Sequence, residues 1–161
     1  MNKKLNNQLI VGVIGGHECN AKVEQIAQEI GKKIAKMGAK LVSGGLGGVM
    51  KAVSKGAKEV GGTTIGILPG ENKQEANPYV DIAIPTGLGL SRNTLVVRTA
   101  DIIIALPGEY GTLSEIAFAL ILKKKVINLS NWDIPGTIRA KDAEDAMRIV
   151  SRCINNKDKG E

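Results

Sequence analysis

The stretch DIIIALPGEYGTLSEIAFALILKKK, Asp101–Lys125, decides how the rest of the chain is read. Its first half is a short, unbroken apolar run, Ile102–Leu106, of the kind that a strand covered on both faces requires. A proline and two glycines then interrupt it. An apolar helical stretch follows from Thr112 and stops at three lysines. Strand, glycine turn and helix in that order form one unit of an α/β domain.

The same unit repeats outward from it. QLIVGVIGG, Gln8–Gly16, reads as a first strand ending in glycines. From Asn20 to Met37 the apolar residues Val23, Ile26, Ala27, Ile30, Ile34 and Met37 recur at helical spacing. Asn20 is suited to cap that helix and Gly38 to end it. AKLVSGG is a second strand, and the glycine loop after it opens a helix with Val49, Ala52, Val53, Ala57 and Val60 on one side. TTIGILPG and YVDIAIPTG are two further strands around a polar loop. LSRNTLVVRTA is a helix for which Ser91 is the expected early cap, VINLS is a sixth strand, NWDIPG breaks the pattern, and AKDAEDAMRIVSRCI closes the chain as an amphipathic helix. Residues 155–161 read as a frayed tail. Alternating strands and helices predict a three-layer α/β/α domain, residues 1–161 as one unit, around a mostly parallel sheet of about six or seven strands.

Composition narrows the function classes. The chain has 161 residues, and Lys and Arg outnumber Asp and Glu by 22 to 16. That excess suits an anionic partner, although scattered surface lysines account for much of it. Aromatic side chains are confined to Tyr79, Tyr110, Phe118 and Trp132, too few for a base-stacking platform, so nucleic acid is not the expected partner. Two cysteines without a CxxC and one histidine, His17, argue against a disulfide framework or a bound metal. No run approaches the roughly 20 apolar residues of a membrane span. The first apolar run reads as a strand rather than a signal peptide, and a cytoplasmic protein is the expectation.

Three strand ends are rich in glycine: Gly15 and Gly16 after the first, Gly44, Gly45 and Gly47 after the second, and Gly108, Tyr110, Gly111 and Thr112 after the fifth. Glycine lets the backbone approach a ligand, and the helix that follows adds unpaired amides and the positive end of its dipole. Each loop alone is a weak signal. Three in one small domain predict a pocket for a phosphate group.

PGEYGTLSE, Pro107–Glu115, resembles the PGGxGTxxE motif of the LOG family, Rossmann-like phosphoribohydrolases also labelled lysine decarboxylase-like. SGGLGGVMKAVSKGA is similar to that family's GGGxxGLMGxxA segment, and LSRNTLVVRTADIIIALPG looks like its arginine helix and motif strand. The compact length and the SRN wording are nearest to its molybdenum-cofactor-carrier-like and uncharacterised branch. The resemblance implies that Gly111 and Thr112 hold a 5′-phosphate, that Glu115 meets the ribose, and that Arg92 orients both as a catalytic pair with Glu115. Arg98 takes the place of a second arginine and reads as a structural ion-pair partner. The reaction implied is hydrolysis of a nucleoside 5′-monophosphate to free base and ribose 5-phosphate, with no required cofactor. The carrier branch implies instead a bound phosphorylated ligand such as the molybdenum cofactor, and distant DNA-processing proteins of the same fold imply, more weakly, a nucleic-acid-associated role.

Two positions depart from the motif and favour a binding relative. Glu109 replaces its second glycine, and Asn93 replaces the lysine after the arginine. A structural alternative also stands, because Thr112-x-x-Glu115 is the pattern of a helix capping box. His17 is placed to line the pocket or to be solvated, and Trp132 to pack at the sheet edge or against a second subunit. The helix after the motif is apolar all round, as a helix covered on two sides would be. Phe118, Leu120, Ile121 and Leu122 are therefore the expected contacts of a homodimer.

Overall fold

The computed structural model describes residues 8–157. Among them lie seven strands and five α-helices in regular alternation. They are β1 (Ile10–Ile14), α1 (Ala21–Lys36), β2 (Lys40–Ser43), α2 (Val49–Glu59), β3 (Thr64–Leu68), β4 (Ile82–Pro85), α3 (Asn93–Thr99), β5 (Ile102–Ala105), α4 (Tyr110–Ile121), β6 (Val126–Asn128), β7 (Ile138–Arg139) and α5 (Ala143–Lys157). All strands join one sheet in the order β4-β3-β2-β1-β5-β6-β7, and every pairing is parallel.

The sheet is covered on both faces, which is why its central strands read as unbroken apolar runs. Side chains alternate along β5. Ile102 and Ile104 join Val11, Val13 and Leu41 against α1, α2 and α5. Ile103 and Ala105 join Val42 and Ile67 against α3 and α4.

Local signals behave as the sequence suggests at α1. The Asn20 side chain accepts a hydrogen bond from the Val23 amide at 2.9 Å, and Gly38 takes a φ of +80° just past the helix end. Elsewhere the boundaries move. Residues 89–92 form a 3-10 turn and α3 begins at Asn93, so Ser91 is not its cap. Helix α5 carries the first three residues of the expected tail through Lys157, and residues 158–161 lie outside the described part. β7, after the break at NWDIPG, is the seventh strand that the sequence allowed without placing. Of the four expected dimer contacts, Leu120 and Leu122 are half-buried against the core. Phe118 and Ile121 are the ones left open, Ile121 at 72% exposure.

Helices α1 and α2 cross closely enough to exclude a side chain. A Cβ on Gly31 would meet the Val53 carbonyl oxygen at 2.0 Å, and one on Gly56 would meet the Gln28 carbonyl oxygen at 1.9 Å. Backbone cannot yield as a side-chain tip can. Gly56→Ala is therefore expected to cost about 3 kcal/mol, or roughly 6–12 °C of melting temperature for a chain of this size. Thermal unfolding followed by circular dichroism checks this.

Candidate phosphate-binding site

After β1 the chain builds β2, β3 and β4 on one side, then returns to place β5 on the other. Strand order reverses between β1 and β5, and the loops beyond their carboxyl ends part there, which is where open α/β sheets hold ligands. Backbone bonds lace three loops around the opening. The Gly16 amide donates to the Pro107 carbonyl at 2.9 Å, and the Val49 amide at the start of α2 donates to the Gly16 carbonyl at 3.0 Å. The cleft between them holds about 630 Å3, within the usual range of small-molecule sites.

Most of the expected site residues meet in this cleft: Gly15, Gly16, Gly44, Arg92, Gly108, Gly111, Thr112 and Glu115 line it. Gly45, Gly47 and Tyr110 are not among its lining. Gly45 is a turn residue with φ +75°, backed by Leu68 and Gly66, and Gly47 lies against the His17 carbonyl. The Tyr110 ring is 79% exposed, so only its backbone amide, in the first turn of α4, remains a candidate donor. Arg98 is exposed at the far end of α3. No carboxylate among the described residues pairs with it, so the expected ion pair is not formed. His17 lines the mouth and is exposed.

Helix α4 begins at Tyr110 with Glu109 as its N-cap. Thr112 is therefore the third helical residue and Glu115 the sixth, which removes the capping-box alternative. The amides of residues 110–112 have no acceptor within the helix and sit at its positive end. Glu109 adopts φ −102° and ψ −155°, extended backbone open to any residue, so its replacement of a glycine costs no strain. Its side chain makes no capping bond and is exposed at the cleft's edge.

Gly108 does a different job from the one expected. Its amide donates to Asn131 Oδ1 at 3.2 Å and its carbonyl accepts from Trp132 Nε1 at 3.1 Å, so neither group is free for a ligand. What it supplies is room, because a Cβ there would come within 2.1 Å of Thr112 Oγ1. Gly44 likewise makes room for the arginine, since its Cβ would lie 2.6 Å from Arg92 Nη2.

Arg92 and Glu115 are 7% and 6% exposed. Nη1 of the arginine lies 4.0 Å from Glu115 Oε1. The same nitrogen donates to Asn93 Oδ1, and Nη2 donates to the Gly44 carbonyl at 3.4 Å. Arg92 Nε is buried with no hydrogen-bond partner among the described residues. Burial raises the Glu115 carboxyl from 4.5 to about 8, against the opposing pull of Arg92. Burial also lowers the pKa of Arg92, which leaves an arginine charged at neutral pH. A neutral acid beside a cation gives this buried pair a net positive charge, suited to an anionic guest.

Sequence reasoning did not assign Asn93, Asn131 or Trp132 to this site. Asn93 is buried, lines the cleft and reaches Ser114 Oγ at 3.4 Å. Asn131 and Trp132 act from a loop 23 and 24 residues beyond Gly108. The one local signal was a lone tryptophan placed in a polar loop directly after a strand. Among the described residues no group of three or more His, Cys, Asp and Glu could hold a metal ion, and no helix is long and apolar enough to cross a membrane.

A profile of the SLOG cluster4 family matches residues 8–157. An uncharacterized protein of Archaeoglobus fulgidus is 46% identical over 146 residues, covering 91% of this chain and 95% of that one. The rice cytokinin riboside 5′-monophosphate phosphoribohydrolase LOG is 32% identical over 70% of this chain, and the match spans only 50% of that enzyme's length. Among solved structures, the molybdenum cofactor binding protein of Rippkaea orientalis superposes with a TM-score of 0.86 at 37% identity, covering 92% of this chain and 98% of that one.

Proposed function

The chain belongs to the SLOG cluster4 family, and from that premise we propose that its cleft binds a small phosphate ester and carries it without breaking it, with a molybdenum-cofactor-type molecule as the leading cargo. The observation behind this reading is the pairing of free α4 amides with a buried Arg92 whose Nε lacks a partner. The phosphate sits against the amides of residues 110–112 and the Thr112 hydroxyl, where charge-assisted bonds are short and strong. Arg92 supplies the neutralising charge. The solved structure from Rippkaea orientalis, matched over nearly its full length, supports a binding role of this kind.

Hydrolysis of nucleoside 5′-monophosphates is the second reading. It is favoured by the 4.0 Å approach of Arg92 to Glu115 within the cleft. In that chemistry water adds to the sugar C1′, the N-glycosidic bond breaks, and the base leaves with a proton. Glu115 must then be ionised to stabilise an oxocarbenium-like transition state. A carboxyl raised to about 8 by burial is mostly protonated at neutral pH, which ranks this reading below the carrier.

AMP separates the two. Calorimetry is expected to show AMP binding, and chromatography is expected to show no free adenine after prolonged incubation. Release of adenine that Glu115→Gln abolishes would replace the carrier reading with the hydrolase. Neither binding nor release would overturn both.

The open face of α4, with Phe118 and Ile121, is proposed to pack on a second copy of the chain. Ile121→Lys is expected to convert the dimer to a monomer in sedimentation velocity without lowering the melting temperature. An unchanged sedimentation coefficient would remove that contact.

A further inference from the structure

We propose that Trp132 is a positioning residue which, together with Asn131, clamps Gly108 and so sets the first turn of α4 for phosphate. The inference rests on the phosphate-ligand reading of the cleft. Gly108 is the last loop residue but one before α4, and a glycine there is free to sample conformations that any other residue would not. Both of its hydrogen-bonding groups are nonetheless taken by one two-residue segment. The Trp132 indole N–H donates to its carbonyl at 3.1 Å, and its own amide donates to Asn131 Oδ1 at 3.2 Å. The Trp132 ring also lies 6.0 Å from that of Tyr110, the first residue of α4.

The clamp is rooted in the sheet. Trp132 donates its amide to Ser130 Oγ at 3.1 Å and receives Asn128 Nδ2 on its carbonyl at 2.8 Å. Asn128 ends β6, is fully buried, and accepts from the Ser130 amide at 2.8 Å and hydroxyl at 2.6 Å. From β7, Arg139 Nη1 donates to the Ser130 carbonyl at 2.8 Å. The chain Arg139–Ser130–Asn128–Trp132 thus passes the rigidity of two edge-side strands to a glycine that touches neither. Trp132 contributes nothing directly to the ligand. It removes conformational freedom before the ligand arrives, which emerges as affinity.

Trp132→Phe keeps an aromatic ring, smaller than the indole, and deletes the donor. Asn131→Ala deletes the acceptor at an exposed position. Asn131→Ala is expected to leave the melting temperature nearly unchanged and Trp132→Phe to lower it slightly, since the indole packs against the core. Each is expected to weaken AMP binding by about ten-fold and to speed hydrogen exchange in the ligand-free protein at the Gly108 amide, bonded to Asn131, and at the Leu113 amide, bonded to the Glu109 carbonyl. Wild-type affinity and unchanged exchange in both variants would overturn the clamp. Failure of the wild-type protein to bind AMP would overturn the phosphate reading instead, and the exchange measurement would still decide whether the clamp exists.

Discussion

Gly108→Ala is expected to abolish measurable AMP binding, a loss of more than about 100-fold, while the protein still folds. The added Cβ would lie 2.1 Å from Thr112 Oγ1 and 2.8 Å from both Thr112 Cβ and the Gly16 amide nitrogen. A single rotamer change does not relieve this. Thr112 is β-branched and within the first turn of a helix, so its side chain has few positions to occupy. Gly16 is held by its bond to Pro107. Relief must come from moving the loop or the helix start, and both carry the donors proposed for phosphate. Overpacking of this kind typically costs about 1–3 kcal/mol of stability, far less than the domain as a whole holds. Gly111→Ala is the control. Its Cβ would meet nothing nearer than Asn93 Nδ2 at 3.8 Å and it keeps its amide, so its melting temperature is expected to match the wild type. Calorimetric titration with AMP beside thermal unfolding checks both. Wild-type affinity in Gly108→Ala would mean that the phosphate lies elsewhere.

The second large effect is on pH. The Glu115 carboxyl sits at about 8 in the folded protein against an ordinary 4.5, so folding favours its protonated form. The stability this provides is complete below about pH 4.5 and is lost as pH climbs toward 8. At about 1.4 kcal/mol per pH unit the gap comes to roughly 5 kcal/mol, or on the order of 10 °C in melting temperature. Glu115→Gln keeps the shape and cannot ionise. Its melting temperature is expected to change less between pH 5 and 8 and to exceed that of the wild type at pH 8. Affinity for a phosphate dianion should also fall as pH rises through 8, because the acid beside Arg92 then carries a negative charge of its own. Parallel pH profiles of the two proteins would contradict the buried, neutral Glu115.

The parallel sheet was legible because its strands are buried on both faces, and runs such as Ile102–Leu106 declare this without help from the rest of the chain. The cleft was legible because glycine turns at strand ends are local features. What escaped is non-local. Gly31 and Gly56 look like weak points in amphipathic helices, and only the crossing of α1 over α2 makes them necessary. The two-residue β7 has no periodicity to read. The Arg92–Glu115 pairing was legible through the motif, and the capping-box alternative for Thr112 and Glu115 falls only once the helix is seen to begin at Tyr110. Gly108 looked like a phosphate donor because its amide is near the right place, and the partners that occupy it come from a loop on the far side of α4 in sequence. The departure at Glu109 is harmless because the backbone there has negative φ, a fact that residue identity does not carry.

The central claim is that the first turn of α4 holds the phosphate of a small guest. Amide chemical shifts recorded while AMP is titrated into the labelled protein test it most directly. The largest changes are predicted at the amides of Tyr110, Gly111 and Thr112, with the Arg92 side-chain resonances moving at the same AMP concentration. Changes confined to another face of the sheet, or none at millimolar AMP, would contradict it.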